Sequence, residues 1–127
     1  MLTIDKISRV PIYEQIVEGI QKEILIGALK PAEQLPSVRE LALSLSANPN
    51  TIQKAFLELD RRGIIVSAPG KGCFVSAEAE IILKERLKNK ISDIKKIAEE
   101  LAMAGISEDE IISAVKEAFS SKSKGMY

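Results

Sequence analysis

The chain has no histidine, no tryptophan and one cysteine, and aromatic residues fill only 4% of its 127 positions. Without imidazole and with a single thiol, it offers no serine–histidine or cysteine–histidine nucleophile pair, no metal cage of imidazole and thiolate, and no internal disulfide. An acidic pair such as Glu99 and Glu100 reads more simply as a solvated helix face, so an enzyme is not expected and no cofactor or metal is implied. An excess of positive charge is missing too. Eighteen Lys and Arg balance eighteen Asp and Glu, which removes the global field of an indiscriminate nucleic-acid binder and means that any anionic partner must be met locally. Nine basic and eight acidic residues precede Ala77, and nine basic and ten acidic follow it, so charge marks no boundary. Nowhere do about 18 consecutive apolar residues occur, and Met1-Leu2-Thr3-Ile4-Asp5-Lys6 lacks a basic stretch leading into an apolar one. No membrane partner is expected, and the expected location is the cytoplasm.

What is present fits one small globular unit, or such a unit with a helical extension, at 46% apolar and 28% charged residues. Pro11 followed by Ile12, Ile16, Ile20 and Ile24, with Tyr13 and Val17 beside them, predicts a first helix that Gly27 stops. Pro31 and Pro36 break the pattern, and Ser37-Val38-Arg39-Glu40 then reads as the capping box of a short second helix through Leu41, Ala42 and Leu45. Asn48-Pro49-Asn50-Thr51 reads as a third helix start, with Ile52, Ala55, Phe56 and Leu59 on its inner face and Gly63 at its end. Ile64-Ile65-Val66 and Cys73-Phe74-Val75 predict two strands around Ala68-Pro69-Gly70-Lys71-Gly72, with Cys73 a buried small residue. A single long helix is expected from Glu80, carrying Leu87, Ile91, Ile94, Ala98 and Leu101 at coiled-coil steps. Ser107-Glu108-Asp109-Glu110 would cap a last helix bearing Ile111, Val115, Ala118 and Phe119, before a polar tail from Ser120 to Tyr127.

The resulting fold class is mainly α with a small β-hairpin: a winged helix-turn-helix followed by a short two-helix C-terminal dimerisation region. The outward edge of the third helix gives that order a meaning. Asn50, Thr51, Gln53 and Lys54 are expected to point outward near its amino end, and no carboxylate occurs between Leu41 and Leu57. Free backbone donors at a helix start favour phosphate. Asn50 and Gln53 carry the paired donor and acceptor that read adenine, Thr51 and Lys54 suit phosphate or a guanine edge, and Arg39 is placed to grip the DNA backbone. Lys71, between two glycines, can enter a narrow minor groove. Gly70-Lys71-Gly72 is not a nucleotide-binding loop, because no Lys-Ser or Lys-Thr pair closes it and a strand follows. The stripe at Leu87, Ile91, Ile94, Leu101, Ile111, Val115 and Phe119 must be covered, either within the chain or by a second copy.

Ile26-Gly27-Ala28-Leu29-Lys30-Pro31, Leu35-Pro36-Ser37-Val38-Arg39-Glu40-Leu41-Ala42, Gly63-Ile64-Ile65 and Gly70-Lys71-Gly72-Cys73-Phe74-Val75 resemble the DNA-binding domain of GntR-type bacterial transcriptional regulators. With Pro11-Ile12-Tyr13-Glu14-Gln15-Ile16, Asn48-Pro49-Asn50-Thr51 and a short helical C-terminus, the chain is similar to the YtrA-like subgroup, whose members pair through that C-terminal region. The resemblance implies DNA-contacting sites at Ser37, Arg39, Asn48, Pro49, Asn50, Thr51, Gln53, Lys54, Gly70, Lys71 and Gly72. Ala32 stands where glycine is usual, and Pro49 and Gln53 where many relatives have arginine, which shifts the expected phosphate anchoring toward Arg39 and Lys71. Residues 1–76 are then the DNA-binding domain and 77–127 the dimerisation region of a homodimeric repressor on an inverted-repeat operator. A winged-helix adaptor that binds protein and not DNA stays open as the alternative. A small-molecule effector at the dimer interface also stays open, although some 50 residues in two helices leave little room for a pocket of about 300 Å³ or more.

Overall fold

A computed structural model describes residues 2–123, with side chains through residue 121; the end of the expected polar tail, 124–127, lies outside the described residues. The helices are α1 (Ile12–Leu25), α2 (Val38–Leu45) and α3 (Pro49–Arg61), then, after strands β1 (Ile65–Ala68) and β2 (Gly72–Val75), α4 (Ala79–Lys88), α5 (Ile91–Met103) and α6 (Glu108–Ser123). Contacts divide the chain into two compact units between Glu85 and Arg86. None of the described helices is long and apolar enough to cross a membrane.

In the first unit the expected stripes meet. Ile16, Val17, Ile20 and Ile24 of α1 and Ile52, Ala55, Phe56 and Leu59 of α3 are buried together with Leu41 and Ala42 of α2. Leu35, Ile64, Ile65 and Val75 close the core from the hairpin side. Burying a side chain of this size is worth about 1.5–3 kcal/mol, so this cluster is what holds the three helices in register. Ala79 and Leu83 of α4 also enter it.

The ends of the helices follow one rule. After α3 the Gly63 N–H donates to the Asp60 carbonyl at 2.9 Å and the Ile64 N–H to the Leu59 carbonyl at 3.0 Å. This is the Schellman closure, which requires a left-handed residue at Gly63, where φ is +79°. The same closure ends α2, with Ala47 N–H on the Ala42 carbonyl at 3.0 Å, but there Ser46 takes the left-handed φ of 51°. The Lys6 ammonium donates to the Ser46 carbonyl at 2.6 Å and so anchors the N-terminal segment on the turn between α2 and α3. Ala32, noted above as an unusual replacement for glycine, sits at φ 67°, the conformation in which glycine carries no Cβ penalty.

Some expectations change. β1 begins one residue later and runs further than Ile64–Val66, pairing antiparallel from Ile65↔Val75 to Ala68↔Gly72. Glu33, Gln34 and Leu35 add an edge that sequence did not mark, with a bridge Gln34↔Phe74 and a Leu35 N–H bond to the Cys73 carbonyl at 2.8 Å. The single long helix from Glu80 is two: α4 ends at Lys88 and α5 begins at Ile91. The Lys90 N–H turns back to the Leu87 carbonyl at 2.9 Å and closes a turn between the two helices, while the step-of-four-and-three spacing runs on in the sequence. Helical spacing alone does not show a turn that preserves the apolar phase.

In the second unit α5 ends at Ala104-Gly105, and the Ser107 hydroxyl accepts from the Glu110 N–H at 3.2 Å at the start of α6. Helix α6 continues through Ser120 to Ser123, where a tail was expected.

Candidate nucleic-acid interface

The amino end of α3 is built by its cap. Asn48 Oδ1 accepts from the Asn50 N–H at 2.8 Å, and the Asn48 carbonyl accepts from Thr51 at 2.9 Å and Ile52 at 3.3 Å. Pro49, the first helical residue, has no donor. The free backbone donors expected here are therefore already used, and a phosphate at α3 must be met by side chains. Asn48 keeps its amide N–H₂ for that purpose, since only its oxygen serves the cap.

Open backbone donors lie at α2 instead. Ser37 and Glu40 form the predicted capping box, with Glu40 N–H on Ser37 Oγ at 3.1 Å and Ser37 N–H on Glu40 Oε1 at 3.4 Å. The N–H groups of Val38 and Arg39 belong to the first turn, which has no intrahelical acceptor. The Arg39 side chain is exposed on that turn, and the Ser37 hydroxyl proton stays free to donate.

On α3, Asn50, Gln53 and Lys54 are exposed as expected, whereas Thr51 is half-buried and offers only part of its surface. Its neighbour Ile52 is fully buried and draws that side of the first turn inward. Lys54 Nζ lies 4.0 Å from the centroid of the Tyr13 ring on α1, a cation–π contact absent from the sequence reading because 41 positions separate the two. The Tyr13 hydroxyl donates to Glu14 Oε1 at 3.2 Å, and this bond and the Glu14 charge raise the Tyr13 pKa.

Further along α3, Glu58 accepts from Arg61 and Arg62. These hydrogen bonds pull its pKa from 4.5 to about 2. Arg62 also donates to Gln21 Oε1 of α1 at 2.9 Å, which ties α3 to α1.

The wing turns at Ala68-Pro69-Gly70-Lys71, with Lys71 N–H on the Ala68 carbonyl at 2.9 Å and φ of +75° at Gly70, the Pro-Gly pattern of a type II turn. Lys71 is exposed at the tip. Gln34 Nε2 donates to the Lys71 carbonyl at 2.9 Å, a tether that no local sequence signal reveals. A Cβ on Gly72 would lie 2.8 Å from that Nε2, so the close approach depends on glycine. Cys73 is half-buried rather than buried, its sulfur 3.6 Å from Ser67 Oγ, because the short hairpin covers only one side of the strand.

An apolar cavity of about 150 Å³ in the first unit is lined by residues including Leu2, Ile20, Leu35 and Leu41. It is smaller than the roughly 300 Å³ of an ordinary ligand pocket.

Residues 12–75 match the family described as bacterial regulatory proteins, gntR family. The chain is 40% identical over 118 residues to the HTH-type transcriptional repressor YtrA of Bacillus subtilis (strain 168), covering 92% of this chain and 91% of that one. A GntR family transcriptional regulator from Listeria monocytogenes superposes with a TM-score of 0.73 at 34% identity, over 90% of this chain and 98% of the other. The DNA-binding domain of AraR, solved in complex with operator ORE1, aligns over 60% of this chain and 93% of its own with a TM-score of 0.52 at 29% identity. These relatives are regulators of transcription and not enzymes. A winged helix-turn-helix whose motif residues and backbone both follow this family is not an isolated likeness, and the chain belongs to the GntR family of bacterial regulatory proteins as a DNA-binding transcriptional regulator.

Proposed function

We propose that the protein is a homodimeric repressor that reads an inverted-repeat operator, each protomer placing α3 in a major groove. The observation that carries this is the carboxylate-free edge of exposed Asn48, Pro49, Asn50, Gln53 and Lys54 with half-buried Thr51, flanked by Ser37 and Arg39 on α2 and by Gly70, Lys71 and Gly72 in the wing. In this reading Asn50 and Gln53 read base edges, and Arg39, Lys54 and Lys71 meet phosphate or groove walls. The AraR complex supports the direction, since a DNA-binding domain of similar fold is bound to an operator there. Residues 1–76 serve as the DNA-binding domain and 77–127 as the dimerisation region.

Dimerisation would bury the apolar residues that the second unit leaves in solvent. Ile91, Ile94 and Phe119 are 65%, 56% and 71% exposed, and Leu87, Leu101 and Val115 are also exposed, with Ile111 half-buried. A stripe of this size on a small chain marks an association surface. The sequence similarity to a repressor favours repression over activation, with occlusion of the promoter as the mechanism.

Sequencing duplexes selected by the purified protein from a random pool tests this reading. The expected product is an inverted repeat with half-sites about one helical turn, ~34 Å, or a multiple apart. Enrichment of an asymmetric single site, or of none, would overturn it. Calorimetry against cell metabolites separately tests for an effector: saturable binding at one site would establish it.

A further inference from the structure

On a helix, residues four apart are neighbours, and a lysine beside a glutamate at that spacing ordinarily forms an ion pair. Lys54 and Glu58 of α3 have this spacing, yet they are not paired. Glu58 is instead held by Arg61 Nε at 3.0 Å and by Arg62 Nε at 2.6 Å, and Lys54 lies over the Tyr13 ring of α1, 4.0 Å from its centroid. The two arginines occupy the carboxylate that would compete for the ammonium, and the ring face holds the ammonium through its negative quadrupole. An aromatic face carries no net charge, so it holds the cation without the counter-charge that a carboxylate would place beside it. The Tyr13 ring is half-buried in the first turn of α1.

We infer that Tyr13 is a positioning residue for DNA binding: its ring face holds the Lys54 ammonium away from Glu58, where it can meet the phosphate backbone. This rests on the reading of Lys54 as a DNA contact. The pair also couples α1, which carries no base-reading residue, to the reading helix.

The test measures affinity for a fluorescein-labelled random-sequence duplex and for the selected operator, with thermal unfolding followed in parallel. Tyr13→Leu is expected to weaken binding about two- to fivefold, the range of an exposed cation–π contact, while Tyr13→Phe, which keeps the ring, binds as the wild type does. In a Lys54→Met background, Tyr13→Leu is expected to cost nothing further, because the cation it positions is gone. Trifluorophenylalanine at position 13 keeps the ring's shape, reduces its negative face and is expected to weaken binding with no loss of thermal stability. That variant carries the test if Tyr13→Leu fails to fold. If Lys54→Met binds both duplexes at wild-type strength, the Lys54 contact itself fails. If Lys54→Met is weak but Tyr13→Leu or the fluorinated ring binds normally, or if the Tyr13 and Lys54 losses multiply, the positioning role alone is overturned.

Discussion

Arg39 and Gln53 are both exposed on the reading motif, but they offer DNA different things. A guanidinium at the first turn of α2 holds any phosphate, whereas an amide on α3 can match one base edge. Arg39→Ala is therefore expected to weaken binding to operator and random duplex alike and to lower the salt slope by about 1 per protomer. Gln53→Ala is expected to relax preference at one base position by roughly 1–3 kcal/mol while leaving that slope unchanged. Competition titrations across a panel of single-base operator variants, repeated at several salt concentrations, check both. Gly63 shows a different residue-scale constraint. Its φ is +79°, and an added Cβ would come within 3.2 Å of Ile82 Cδ1. Gly63→Ala is expected to destabilise the protein by roughly 1–2 kcal/mol from backbone strain, read from urea unfolding. The glycine was visible in the sequence as a helix stop. Its second duty, leaving room for a side chain from α4, was not, because that neighbour is 19 positions away.

At the scale of elements, the caps are the most legible feature. Ser37-Val38-Arg39-Glu40 and Asn48-Pro49 each announced a helix start, and both caps form as read, because a cap is a contact between residues two or three apart. Ser37→Ala is expected to cost about 0.5–2 kcal/mol of stability, measured by thermal unfolding in the absence of DNA. The Glu58 cluster on α3 adds a pH dependence. Its carboxyl is held down to about 2 in the folded chain, chiefly by hydrogen bonds from Arg61 and Arg62, against an ordinary value of 4.5. A depressed carboxyl pKa stabilises fully above the unfolded value and loses that contribution as pH falls toward the folded one. The stability advantage of wild type over Glu58→Gln is thus expected to be constant near neutrality and to shrink between pH 4.5 and about 2. Denaturant midpoints of the two proteins across that interval measure it. The break between α4 and α5 was illegible for the opposite reason: Asn89-Lys90 carries neither glycine nor proline, and the apolar phase resumes unchanged at Ile91.

For the whole molecule, the contrast lies between a first unit whose apolar stripes are buried and a second whose apolar residues are exposed in a single copy. Ile94, 56% exposed, and Leu101, 38% exposed, are positioned four-and-three along the seam. Ile94→Asp and Leu101→Asp are each expected to shift the protein from dimer to monomer in sedimentation velocity at micromolar concentration. They should also weaken operator binding far more than binding to an isolated half-site, because each half-site is then held by one reading head. A wild-type chain that sediments as a monomer would remove the basis for both effects. Zero net charge bears on this scale as well. With little long-range steering, affinity depends on a few placed contacts, and the salt dependence should be modest for a dimer.

The sequence by itself determined helices α1 to α3 and their caps, the glycine-tipped hairpin, the inner faces of α1 and α3, and the carboxylate-free edge at the start of α3. Each is a matter of spacing or residue chemistry within a few positions. Only the tertiary structure decided which distant residues support that edge: Tyr13, Gln34 and Lys6 take hold of Lys54, the wing and the turn between α2 and α3. Those contacts join residues 37 to 41 positions apart, and hydrogen bonds and ring contacts over such separations exist only once the core has brought α1, the α2 approach and the hairpin together.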